Sequence, residues 1–224
     1  LRRIHSLGLR AVAIHQFPNG GGAPKPEDDR FWETALDLGV ALAPHQGFGD
    51  VTPPPIPTGV GTKMRPMAAA LIDRAGSIRP AYCLAQLIVD GVFDRFPEIE
   101  FYFAESNAAW LASALWHFDD TFHCYNTWFE KDLAKDPSDY IREHVYFGII
   151  RDPLALQLGE FLPLDRLMWG SDFPHSVGSF PQSREFITDA FSAVDAETKR
   201  TILVDNPVRF FGLDADAELT ATPA

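Results

Sequence analysis

A set of polar side chains stands where short apolar runs end, and their types are those that hold cations and move protons. They are His15 after LRAVAI, His45 after VALAP, Glu105 after IEFYFA, Arg151 and Asp152 after VYFGII, and Asp172 with His175 beyond LMWG. Imidazole nitrogen and carboxylate oxygen together suit Zn²⁺ or another borderline divalent ion, with water completing an open coordination sphere. Water on such a cation loses a proton near neutral pH, and an adjacent carboxylate can accept it. The chemistry this set points to is metal-assisted reaction of a small molecule.

Each residue also has an ordinary reading. His45, between Pro44 and Gln46-Gly47, could be a strand-end histidine bonded only to backbone. Asp172, in Ser171-Asp172-Phe173-Pro174, could close an Asx turn. Glu105 ends an otherwise apolar strand and must face either the open rim or a partner cation. Arg151 could pair an anionic group of a substrate or form a salt bridge with Asp152 or a barrel neighbour. His15 reads first as a loop histidine, His117 and His123 as packing or surface groups on an aromatic-rich helix, and His5 and His144 carry no signal.

The elements that position these residues follow from pattern. Leu9–Phe17, Val40–His45, Ile99–Ala104, Val145–Ile150 and Leu167–Gly170 are near-continuously apolar, as strands buried on both faces must be. Helices are expected at the opening Leu1–Gly8, at Asp28–Leu38 with Phe31, Ala35 and Leu38 on one face, at Met64–Arg74, Pro80–Phe96, Ala108 to about Phe129, Pro153–Phe161, Ser183–Val194 and Ala196–Leu203. The aromatics Trp110, Trp116, Phe118, Phe122 and Trp128 fit packing of a long helix onto the sheet. Strands alternating with helices indicate parallel β/α units, and the polar residues at the C-terminal ends of the strands then share one face. No GxGxxG or GxxxxGK[ST] follows any strand, which argues against a nucleotide fold and favours a (β/α)8 barrel. Five strands are legible where a closed barrel has eight, so about three N-terminal units are expected outside this sequence. Residues 1–213 form the expected partial barrel and 214–224 a tail.

Composition narrows the partners. The 224 residues carry 19 Lys+Arg against 31 Asp+Glu, a formal charge of −12, which excludes a nucleic-acid binder working through a basic surface. No apolar run approaches the ~20 residues a membrane helix needs. Cys83 and Cys124 form no CxxC, and reduced thiols in a cytoplasmic protein are expected. The Pro-rich stretch Thr52–Thr62 is too long for an idle loop and is expected over the mouth of the barrel as a lid or as a homodimer contact.

Four segments resemble the amidohydrolase-related family (amidohydrolase 2), the branch of the amidohydrolase superfamily that includes aminocarboxymuconate semialdehyde decarboxylase. They are MWGSDFPHSVGSFP at Met168–Pro181, RFWETALDLGVALAPHQG at Arg30–Gly47, FPEIEFYFAESNAAWL at Phe96–Leu111 and VDNPVRFFGL at Val204–Leu213. In the last of these an Asn is expected to cap the closing helix. The resemblance implies a (β/α)8 barrel of metal-dependent hydrolase type, incomplete here, with one divalent metal, usually zinc. It implies that His45 is the ligand after the barrel's fifth strand and Asp172 the ligand and general base after its eighth, with His175 contacting substrate or ligand. The family's His-x-His or Glu-x-His of the first strand would precede Leu1. Glu105 stands where many members carry a histidine, so it is expected to act as acid/base or ligand in that histidine's place.

Three functions follow as expectations. The first is a hydrolase acting through activated water on a small substrate bearing a carboxylate or an aromatic ring, with Arg151 binding the anionic group. The second is nonoxidative decarboxylation, and the third a non-catalytic fragment of a barrel. Metal content separates the third from the others, because a mononuclear catalytic site approaches one equivalent.

Overall fold

The apolar segments form β1 (Ala11–Ile14), β2 (Ala41–Pro44), β3 (Phe101–Phe103), β4 (Val145–Ile149) and β5 (Leu167–Trp169). A computed structural model of the chain describes residues 1–49, 78–130 and 132–214. All neighbouring strands are parallel and lie in chain order, β1-β2-β3-β4-β5. An open doubly wound sheet reverses its strand order at a switch point, whereas a barrel keeps it, so this is a run of consecutive barrel units.

Alternation along the strands separates two faces. Val12, Ile14, Leu42, Phe101, Phe103, Val145, Phe147, Ile149 and Leu167 belong to the core that the helices cover. Trp32 meets Phe101 edge-on at 5.7 Å between ring centroids, Phe93 meets it at 6.0 Å, and Trp110 meets Phe147 at 6.0 Å. The opposite face carries small residues along β1 and β2, with Ala11 beside Ala41 and Ala13 beside Ala43, and mostly larger ones beyond, with Tyr102 beside Tyr146 and Gly148 beside Met168. One step beyond β2 and β3, His45 bridges Ala104, which brings the ends of these strands level.

Helices over the covered face are α1 (Arg2–Ser6), α2 (Asp29–Leu38), α3 (Ile78–Val89), α4 (Val92–Arg95), α5 (Leu111–Tyr125), α6 (Pro137–His144), α7 (Pro153–Gln157), α8 (Ser183–Ala190) and α9 (Ala196–Arg200). The helix expected over Pro80–Phe96 is two, because Gly91 takes the left-handed conformation at φ 71° and breaks it. The long aromatic helix ends at Tyr125, and Trp116 and Trp128 do not pack as expected: they are 62% and 82% exposed. His144, silent in the sequence, is buried at the end of α6, with Nδ1 2.8 Å from the Ile99 carbonyl oxygen and its ring stacked on Phe93 at 4.6 Å. The expected helix Met64–Arg74 and the Pro-rich stretch Thr52–Thr62 lie outside the described residues, as does the expected tail beyond Asp214. Cys83 is buried and Cys124 exposed, and both are free thiols. Among the described residues no helix is long and apolar enough to cross a membrane.

The chain closes with α10 (Asn206–Phe211), which meets the opposite face of the sheet. Phe210 contacts Tyr146 at 5.2 Å and Tyr102 at 6.0 Å, Phe211 contacts Tyr102 at 5.7 Å, and the Arg209 guanidinium donates to the Tyr146 hydroxyl. Asn206 does not cap this helix. Its side-chain amide donates instead to the carbonyls of Asp165 at 2.9 Å and Leu167 at 2.8 Å, pinning α10 to the start of β5. Removal of a buried donor that satisfies two carbonyls costs ~1–3 kcal/mol. Asn206→Ala is therefore expected to lower stability by that amount in urea unfolding, and an unchanged midpoint would show the pin to be idle.

Candidate metal centre

The site forms where β2, β3 and β5 end. Strand alternation brings His15 and His45 to the same face of the sheet, with ring centroids 6.0 Å apart. For Glu105 alternation predicts the opposite: Phe101 and Phe103 face the helices, so a continued β3 would send residue 105 the same way. Glu105 instead has φ 56°, and this single left-handed residue turns its side chain toward the rim, where Oε2 lies 3.1 Å from His45 Nε2. Gln46 at φ 55° and Asp172 at φ 54° mark the ends of β2 and β5 in the same way. Non-glycine residues rarely adopt this conformation, and clusters of such residues belong to functional loops.

Asp172 is the most constrained of the group. Its side chain is only 3% exposed, Oδ1 lies 2.7 Å from His175 Nδ1, and Oδ2 is buried with no hydrogen-bond partner. A carboxylate can only accept, so His175 Nδ1 carries the proton of this contact, and in the neutral imidazole Nε2 then keeps its lone pair. Ligand atoms from Glu105, Asp172 and His175 lie within 4.8 Å of one another. A buried carboxylate oxygen without a partner is costly unless a cation or donor completes it. The donor set of two carboxylates and one imidazole is one that divalent Zn or Mn accepts, so the residues present fit a divalent ion.

His45, expected beside Asp172 as a ligand, is brought to this set through Glu105 rather than by direct approach to all three. His175 is more exposed than its aspartate partner, with 61% of its side chain open, and stands at the entrance. Arg151 is exposed and forms no salt bridge with Asp152; its guanidinium sits 5.8 Å from the Phe186 ring centroid. His117 and His123 are surface residues, as expected.

One participant was not foreseen. Tyr102 points along the face of the sheet that α10 meets, and burial, followed by the nearby Glu105 charge, pushes its phenol up to about 12. It therefore stays a neutral donor at any ordinary pH. Gly148 makes room for it, because a Cβ there would stand 2.6 Å from the Tyr102 hydroxyl oxygen and 3.0 Å from the Glu105 nitrogen. Asp152, one of the strand-end candidates, turns its carboxylate to backbone N–H groups instead of meeting Arg151. The sequence signal for it was present in Asp152-Pro153, a capping residue before proline at the first helical position.

The comparisons agree with this fold. The 4-sulfomuconolactone hydrolase of Rhizobium radiobacter is 42% identical over 66 residues, 27% of this chain and 22% of that protein. The crystal structure of 5-carboxyvanillate decarboxylase from Sphingomonas paucimobilis superposes with a TM-score of 0.70 at 21% identity, over 95% of this chain and 62% of that one. A dihydroxybenzoic acid decarboxylase from a Polaromonas species, with bound manganese, superposes with a TM-score of 0.68 at 18% identity, over 94% and 63%. An amidohydrolase from Mycobacterium avium subsp. paratuberculosis gives 0.69 at 19% identity, over 94% and 54%. The chain thus spans between half and two thirds of these structures, as five units of an eight-unit barrel should. With the sequence profile of that family matching residues 1–213 from end to end, the chain belongs to the amidohydrolase family.

Proposed function

We propose that this chain carries the catalytic face of a metal-dependent hydrolase that opens an ester- or lactone-type carbonyl in a small anionic molecule. The observation that carries the reading is the buried, unpartnered Oδ2 of Asp172 within reach of Glu105 and His175. Asp172, Glu105 and His175 would hold the ion, with His45 joining as the resemblance implies. A divalent cation there supplies Lewis acidity toward a carbonyl and makes water more acidic. Zn²⁺ is the ion we infer, and metal analysis decides between it and Mn²⁺.

The chain's own groups do the rest. Asp172, held by His175, is fixed in orientation and accepts the proton of attacking water. Glu105, braced by His45 at 3.1 Å, takes that proton on from Asp172 and passes it to the leaving oxygen. Arg151 at the rim binds the anionic part of the substrate, and its stacking near Phe186 leaves its donors free to do so. The relative that names a lactone hydrolase supports hydrolysis. The neighbours that name decarboxylases support the second reading, in which Glu105 or His175 gives a proton to carbon.

The test is an assay of lactones and esters of small carboxylic or sulfonic acids beside carbon dioxide release from aromatic carboxylic acids. Glu105→Gln is expected to lower kcat by ~10²–10⁴, the usual contribution of a general acid/base. Carbon dioxide release without hydrolysis would transfer the assignment to the second reading. Undiminished turnover by Glu105→Gln would remove Glu105 from either.

A further inference from the structure

Glu105 sits on a turn that has left the sheet, and what holds that turn is the end of β4. Asp152 Oδ2 accepts the N–H of Ala108 at 2.7 Å and of Ala109 at 2.9 Å, while Oδ1 accepts the N–H of Ala155 at 3.3 Å. From the turn, the Asn107 N–H donates to the Gly148 carbonyl at 3.0 Å, and Asn107 Oδ1 accepts the Ile150 N–H at 3.3 Å. Asn107, like Glu105, is left-handed, at φ 51°. Residues 105–109 are therefore a conformation the backbone does not favour, kept in place by polar bonds across to β4. The strongest of these end on one ionised group, because charge-assisted bonds from backbone N–H to carboxylate are about twice as strong as neutral ones.

Asp152 serves two roles that chemistry can separate. Its bond to Ala155 caps α7, which any small hydroxyl residue can do. Its grip on Ala108 and Ala109 needs the reach and charge of a carboxylate. We propose that Asp152 is a positioning residue of the ion site: by clamping the amides of Ala108 and Ala109 it holds the turn that aims Glu105 at Asp172 and His175. This rests on the metal-site reading above. Asp152 touches neither the ion position nor Arg151; it works through Glu105.

The test uses Asp152→Ser, which keeps a cap for α7 and releases the clamp. Asp195→Ala is the comparison, because Asp195 caps α9 by accepting the Thr198 N–H at 2.7 Å and is not part of the site. Mn²⁺ titration is expected to show affinity falling by ~10-fold or more in Asp152→Ser, the usual effect of losing a group that orients a ligand, and unchanged in Asp195→Ala. Added to Glu105→Gln, Asp152→Ser should produce no further loss. A metal-free readout is the His45 ring C–H resonance at fixed pH, which reports its contact with Glu105. Asp152→Ser should move it in the same direction as Glu105→Gln does. Wild-type affinity with an unmoved resonance, equal losses in Asp152→Ser and Asp195→Ala, or a further loss on the Glu105→Gln background would each overturn the proposal. Should the wild type take up no Mn²⁺, the ion-site reading fails and the resonance alone decides the role of Asp152.

Discussion

Asp172→Asn is expected to lower Mn²⁺ affinity at least ~100-fold while raising the melting temperature of the ion-free protein. The two effects have one cause. Groups that merely orient a ligand are worth 10–100-fold in affinity, so loss of the most buried ligand should cost at least the upper end of that range. In the absence of an ion, however, Asp172 Oδ2 is a buried carboxylate oxygen with no partner, a destabilising arrangement that a neutral amide relieves. A relief of ~1 kcal/mol corresponds to about 2–4 °C in a chain of this size. Calorimetry with and without Mn²⁺ measures both: the wild type should gain stability on addition of the ion, by ~2.7 kcal/mol at 100 times the dissociation constant, and the variant should gain almost none. Equal gains in the two proteins would remove Asp172 from the site.

The largest expected loss of stability lies elsewhere, at Phe101. Its ring is fully buried between Trp32 and Phe93, joining α2 and α4 to the central strand β3. Phe101→Ala removes both the transfer energy and the packing around the void, ~3–5 kcal/mol, against a total stability of about 5–15 kcal/mol for a domain. Urea unfolding should show a midpoint shifted accordingly, and the exposed Trp128→Ala should stay within about 0.5 kcal/mol of wild type. A small effect at Phe101 would mean that neighbouring side chains collapse into the gap.

Much of this organisation could be read from residue order. The five strands were legible because a parallel strand covered on both sides has to be apolar throughout, and LMWG or VYFGII fits little else. His45, Glu105, Asp172 and His175 were legible as a group because such strands deliver their C-terminal ends to one rim. What stayed hidden has a physical reason in each case. Strand periodicity sends Glu105 outward, and only a left-handed backbone at a residue not usually found there returns it. The break of the Pro80–Phe96 helix rests on Gly91, a glycine that composition alone does not distinguish from a tolerated helical one. The capping role of Asn206 was expected from the resemblance of VDNPVRFFGL to the family's closing motif, and its bonds to Asp165 and Leu167 belong to tertiary contact that local pattern does not contain. Trp116 and Trp128 show the reverse error, since large aromatics on a helix suggest burial that the structure does not provide.

The left-handed residues at the ends of β2, β3 and β5 also bear on redesign of the rim. Positions 46, 105 and 172 share φ values of 54–56°, a setting in which Asn, Asp and Gly sit comfortably and Val, Ile or Thr do not. A library that varies ligand chemistry at these three sites can therefore sample amides, acids and imidazole at little conformational expense, whereas β-branched replacements would fail for reasons of backbone shape before their chemistry was ever tried. Screening hits would be skewed toward short polar side chains even with no selection for activity, and that bias must be subtracted before any preference is read as function.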